Sequence, residues 1–196
     1  MSQVYTGASM SLDGYIAGPN ESGFEHLFKW YTSGDVAVPT ADPNMTLQMT
    51  QASVDRWKGV LEMTGSLVVG RKLYDYTGGW GGRHPMDLPV VVLTHNPPTE
   101  NSDSFTFVTD GIEAAIDKAR ELAGDKVVGL NGGMIASQAL DAGLLDEIWV
   151  DLVPVLLGEG TPFFGQLGSR PVELEGPVSV IEGRDVTHLR YRVRKA

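Results

Sequence analysis

Lys126-Val-Val-Gly-Leu-Asn-Gly-Gly-Met-Ile-Ala136 decides the fold. Lys126 to Leu130 is a short apolar run of the kind buried on both faces of a sheet. Asn131-Gly132-Gly133 is a tight turn. Ile135, Ala136, Ala139 and Leu140 then recur at helical spacing until Gly143 stops them. A buried strand that passes through two glycines into a helix is one step of a parallel α/β sheet. The same turn lets a pyrophosphate approach the backbone, with the helix N-terminus offering unpaired N–H groups. An equally good reading is a strand–helix turn that needs glycine for its own geometry. It is not the G-x-G-x-x-G fingerprint.

Similar units lie on both sides. Upstream, Ser66 to Val69 predicts a buried strand, and Gly70-Arg71-Lys72 starts a helix through Tyr76. Val90 to Thr94 predicts another strand, closed by His95-Asn-Pro-Pro98. Asp110 and Glu113 read as a capping box, with Asp110 as N-cap of a helix that Gly124 ends. Further upstream, Val4 to Met10 predicts the first strand. It is followed by the loop Ser11-Leu-Asp-Gly-Tyr-Ile-Ala-Gly18. Phe24, Leu27 and Phe28 suggest a short helix, Thr32 to Pro43 a loop, and Met45 to Met63 a helix marked by Leu47, Thr50, Val54, Trp57 and Leu61. Downstream, Glu147 to Val155 predicts a strand. Val172 to Ile181 and Val186 to Val193 predict a terminal antiparallel pair, turned at Glu182 to Asp185. The expected class is α/β in three layers, as one domain over residues 1–196. Its mixed, mostly parallel sheet would carry flanking helices and a C-terminal antiparallel hairpin.

Composition narrows the function. The 196 residues are 42% apolar and 20% charged, with a net charge of −10. Without cysteine there is no disulfide framework, thiolate metal site or cysteine nucleophile. The four histidines show no metal-ligand spacing. The start of the chain lacks a basic stretch before an apolar core, and no apolar run approaches membrane length. A soluble cytoplasmic protein is the expectation. Arg190, Arg192 and Arg194 alternate as one solvated strand face rather than a nucleic-acid stripe. An acidic protein that binds an anionic ligand must supply local cations or aligned N–H groups.

That requirement selects candidates. Arg71 and Lys72 follow Gly70 at a strand end, where an arginine can hold a phosphate bidentately; a surface cation pair is the plainer alternative. Leu93-Thr94-His95 brings a hydroxyl and an imidazole to a third strand end. Asp151 sits in the apolar run Ile148 to Val153, where a carboxylate is costly unless paired or functional. Asp13 lies in a loop whose glycines allow it to fold over a ligand; it is either catalytic or the centre of an Asx-turn before Gly14.

In order, SLDGYIAGPN, VVGRKLYD, VVVLTHNPP, VGLNGGMIASQAL and LLDEIWVDLVPVLLGEGTPFF resemble the dihydrofolate reductase superfamily. The branch they resemble includes the reductase domain of the bifunctional riboflavin-biosynthesis deaminase–reductase. The segments run from about residue 4 to residue 164. The resemblance implies a dihydrofolate-reductase-like fold, with NADPH lying across the C-terminal edges of the central strands. It places Gly70, Arg71 and Lys72, with Leu93, Thr94 and His95, around the 2′-phosphate and adenosine. Gly132, Gly133, Met134, Ile135 and Ala136 would receive the pyrophosphate. Ala8, Gly14 and Ile16 would line the nicotinamide side beneath a mobile lid around Asp13, with Gly158-Glu-Gly160 close by. It also implies a homodimer.

Two departures matter. Phe24-Glu-His-Leu-Phe-Lys-Trp30 offers no unique acid matching that of the folate enzymes, Glu25 being one option. The zinc deaminase signature is absent. The expected activity is NADPH-dependent reduction of a small pterin-, pyrimidine- or carbonyl-type acceptor, with Asp13 and Asp151 as catalytic candidates. Phe24, Phe28 and Trp30 are candidates for an apolar wall. A non-catalytic nucleotide-binding sensor and a flavin-dependent reductase are the competing readings.

Overall fold

The computed structural model describes residues 2–98, 104–168 and 171–195. Its strands are β1 (Val4–Ser11), β2 (Tyr15–Ala17), β3 (Val36–Pro39), β4 (Thr46–Met49), β5 (Thr64–Gly70) and β6 (Val90–Leu93). They continue with β7 (Phe105–Val108), β8 (Val127–Asn131), β9 (Glu147–Val153), β10 (Thr161–Pro162), β11 (Leu174–Gly183) and β12 (Val186–Val193). The helices are α1 (Phe24–Leu27), α2 (Gln51–Met63), α3 (Arg71–Tyr76), α4 (Ile112–Ala123) and α5 (Met134–Asp141).

Eight strands form one sheet in the order β11-β12-β9-β1-β8-β5-β6-β7. The six from β9 to β7 run parallel, and the hairpin β11–β12 adds antiparallel to β9. Period-two alternation sorts the side chains into layers. Val4, Val68, Val91, Val128 and Ile148 face α4 and α5, where Ala115, Ile116, Ala119 and Ile135 complete the main core. On the other face, Tyr5 and Trp149 meet Val60 of α2, while Leu67 and Val69 meet Leu73 and Tyr74 of α3. Helices on both faces bury the sheet and give the expected three layers.

The connections create a crevice. From β8 the chain turns into α5 on one face; from its neighbour β5 it turns into α3 on the opposite face. Adjacent strands that send their helices to opposite sides open a cleft at their C-terminal ends, where α/β sheets bind ligands.

Three expectations are corrected. Residues 46–49 are not helical. Thr46 and Gln48 are exposed while Leu47 and Met49 are buried, an alternation that pairs β4 with β3 and puts a hairpin where a loop was expected. Helix α2 begins only at Gln51, because the Thr50 hydroxyl accepts the Ser53 N–H and caps it. Asp110 does not cap α4. Gly111 occupies the N-cap position with φ +95°, a conformation suited to glycine, and no side chain caps the helix.

Candidate functional site

The cleft is built from backbone first. Gly133 precedes α5 with φ +88° and donates its N–H to the Phe163 carbonyl at 2.7 Å. Ser137 Oγ reaches back to the Gly133 carbonyl at 3.3 Å and accepts the Gly165 N–H at 2.8 Å. The turn is thereby fixed to the strand-like segment after β10. The first N–H groups of α5 lack partners within the helix, and Met134 at its start is 67% exposed. At Gly132 a Cβ would lie 3.2 Å from Ile16 Cδ1 and 3.6 Å from the Ala8 Cβ. Ala8, Ile16, Gly132 and Gly133, dispersed over the sequence, therefore meet at one point.

The neighbouring strand end supplies cations. A Cβ on Gly70 would be 3.7 Å from Ile135, so the two helix starts stand side by side. Arg71 donates through Nε to Asp75 Oδ1 at 2.7 Å and through Nη1 to the Asn96 carbonyl. Thr94 turns the chain after β6: its hydroxyl accepts the Asn96 N–H at 3.2 Å, and its own N–H bonds Val108 O. Arg71 and the Thr94-His95-Asn96 turn are thus in contact. Leu93 is half-buried below them and His95 is exposed. Lys72 pairs with Glu21 of the loop that follows β2.

The loop before β2 is held by Asp13. One carboxylate oxygen accepts from the Ser11 hydroxyl at 2.5 Å and the Leu157 N–H at 3.1 Å; the other accepts the Gly158 N–H at 2.7 Å. The Ser11 hydrogen bond, supported by the two backbone donors, keeps the Asp13 carboxyl below its ordinary pKa. The Gly14 carbonyl accepts from Phe163, and β2 pairs with β10. The Asp13 loop and the segment around Gly158-Glu-Gly160 form one stitched unit.

Asp151 lies in a different setting, buried on the α2 face of β9. Its Oδ1 meets Arg56 Nη2 at 2.8 Å and His188 Nδ1 at 2.7 Å. His188 Nε2 contacts Ser53 Oγ at 2.9 Å, and Thr50 donates to the same oxygen at 3.1 Å. The Trp30 ring stands edge-on to His188, 5.0 Å between centroids, and its indole N–H donates to Ser9 Oγ at 3.0 Å. Ser9 is the register partner of Asp151 and the next residue after Ala8. Nothing in the sequence reading anticipated Arg56, His188, Ser53 or Ser9. The one available signal was His188, which interrupts an otherwise ordinary strand alternation.

Of the aromatic candidates, Phe24 and Phe28 join a file of rings, while Trp30 is buried in the core beside it. Tyr76, Phe24, Phe28, Tyr31 and Trp57 follow one another at 5.1, 5.7, 5.3 and 5.9 Å and connect α3 to α2. Glu25 is exposed beside His26. The alternating arginines share a face: Arg190 clasps Glu147 through two nitrogens, while Arg192 and Arg194 pair with Glu175 and Glu173. No helix among the described residues is long and apolar enough to cross a membrane.

Comparison with known proteins adds relatives. The family model of the RibD C-terminal domain matches residues 3–183. Uncharacterized protein YwjB of Bacillus subtilis strain 168 is 23% identical over 103 residues, which span 52% of this chain and 59% of YwjB. The match thus covers less than two thirds of that relative's length. A solved Shewanella sp. PV-4 protein with a provisional riboflavin-biosynthesis name is 24% identical, with a TM-score of 0.69 and coverage of 98% and 99%. Dihydrofolate reductase from Enterococcus faecalis, complexed with NADP(H) and RAB-propyl, is 16% identical, with a TM-score of 0.58 and coverage of 98% and 97%. At these identities the likeness of the two structures is one of fold.

Proposed function

Because this chain belongs to the RibD C-terminal domain family, we propose that it is an NADPH-dependent oxidoreductase acting on a small acceptor with a C=N or C=O bond. The observation that carries the reading is the cleft between neighbouring β8 and β5, with a double glycine on one lip and Arg71 on the other. The residues fit the cofactor. Gly132 presents no side chain where the chain crowds Ile16 and Ala8, and the start of α5 is open. Bound NADPH supplies the hydride.

The chain's own residues divide the remaining work. Gly132, Gly133 and the first-turn N–H groups of Met134, Ile135 and Ala136 would hold the pyrophosphate. Arg71, flanked by Gly70, Lys72, Leu93, Thr94 and His95, would hold the 2′-phosphate and adenosine. Since Arg71 already leans on Asp75, a phosphate would take the place of that carboxylate. Ala8, Gly14 and Ile16 would border the nicotinamide. Asp13 secures the loop above them. Asp151 acts at one remove: it holds His188, His188 packs on Trp30, and Trp30 fixes Ser9 beside Ala8. The file of rings from Tyr76 to Trp57 suits a flat acceptor. A cytoplasmic setting and a homodimer belong to the same proposal; exposed Val178 and Val180 on β11 offer the dimer an apolar face.

The test is NADPH consumption against pterin, pyrimidine and carbonyl acceptors. We expect turnover with one class, and Asp151→Asn to lower kcat more than it weakens NADPH binding. Binding with no oxidation by any acceptor would favour the sensor reading. Unchanged kcat in the variant would make Asp151 purely structural.

A further inference from the structure

We propose that a groove between α2 and the β11–β12 hairpin is a second ligand site, taking a neutral, flat one- or two-ring molecule with a carbonyl acceptor. The proposal does not depend on the cofactor reading. Arg56, Gly59 and Val60 form the helix side of the groove, and Trp149, Ile181 and Leu189 the sheet side. The space is about 220 Å³. A dry cavity of roughly 150 Å³ accepts benzene, so one ring fits with room for a second.

The helix keeps this space open at a cost. Glycine inside a helix is about 1 kcal/mol less favourable than alanine, yet Gly59 sits in the body of α2. A Cβ there would meet nothing within 4 Å. No neighbour demands a glycine, and any longer side chain would extend into the groove.

Arg56 sets the chemistry. Its side chain is 15% exposed, and its one partner among the described residues is Asp151, reached through Nη2. The N–H groups on Nε and Nη1 have no acceptor among the described residues and stay open to the water of the groove, which a ligand oxygen can replace. Arg190, at the far end, is already committed: both arms of its fork hold Glu147, and its carbon lies 5.2 Å over the Trp149 ring. The oxygen belongs to a neutral carbonyl, because a carboxylate at Arg56 would place a second negative charge beside Asp151. The Trp149, Val60 and Ile181 surfaces then take the ring. Towards the cofactor cleft the groove is closed by Trp30, which is 1% exposed and wedged between His188 and Ser9. The two sites are therefore separate.

The experiment is an amide NMR titration of the full chain with carbostyril, a flat two-ring lactam. Naphthalene, which lacks any acceptor, and naphthoate, which is charged, serve as comparators, and NADPH affinity is measured in parallel. We expect saturable shifts at Gly59, the Trp149 indole N–H and the Arg56 Nε–H, with naphthalene and naphthoate each at least about tenfold weaker. Gly59→Leu should weaken carbostyril at least about tenfold without lowering the melting temperature or NADPH affinity. Ile181→Trp, filling the groove from the sheet side, should do the same and decides the matter if the first variant does not fold. Absence of saturable shifts, shifts centred elsewhere, or equal binding by wild type and filled variants overturns the site. Equal binding of carbostyril and naphthalene overturns the Arg56 contact.

Discussion

Two arginine–aspartate pairs in this protein have nearly the same length and opposite surroundings. Arg71 and Asp75 meet at 2.7 Å on the rim of the cleft, with side chains 36% and 54% exposed. Arg56 and Asp151 meet at 2.8 Å under α2, with side chains 15% and 10% exposed. On the rim, water screens the charges, so the pair contributes at most about 1 kcal/mol and parts at little cost. Inside, neither charge can return to water, so loss of one leaves the other stranded. Contact distance alone does not separate an exchangeable pair from a fixed one; solvent access does.

The largest effect should come from breaking the interior pair. Arg56→Met is expected to lower unfolding free energy by about 3–5 kcal/mol in urea titrations. Adding Asp151→Leu should recover most of that loss, since an apolar pair replaces the stranded charge. A loss below about 1 kcal/mol would put the two pairs on the same footing and remove the contrast. On the rim, Asp75→Asn should change stability little and tighten NADPH severalfold by freeing Arg71, read by calorimetry; weaker binding would mean that Asp75 orients Arg71 rather than competing for it.

The smallest effect extends the contrast to histidine. His84 packs edge-on to Trp80, its Nδ1 accepts the Met86 N–H at 3.2 Å, and burial pushes its pKa from 6.5 down to about 4. The unfolded chain therefore binds the extra proton first. His84 leaves stability untouched above pH 6.5 and lowers it as pH falls towards 4. In His84→Gln, the fall in melting temperature over that interval should be shallower than in wild type. An identical slope would show that His84 is not the group responsible.

The rim was legible in the sequence because its information is local. Strand, glycine and helix follow within ten residues at both Gly70 and Gly132, so hydrophobic period and turn chemistry suffice. The interior network was not legible, because its members are joined only by tertiary packing: Ser53 and His188 are 135 residues apart, and His188 and Asp151 are 37 apart. The β3–β4 hairpin was hidden for another reason. Leu47 fits the helical period of α2 by coincidence, while Met49, alternating with it, gave the weaker signal that the structure follows. The capping box at Asp110 was overridden by Gly111, whose positive φ sets the entry to α4.

The measurement that tests the cleft most directly is paired calorimetric titration of NADPH and NADH into wild type and Arg71→Ala. The account predicts one saturable NADPH site per chain in wild type. In the variant, NADPH should weaken by roughly tenfold to a hundredfold, the worth of charged hydrogen bonds to a phosphate, with NADH scarcely altered. No heat with NADPH on the folded wild type, or an equal loss for both dinucleotides, would contradict it.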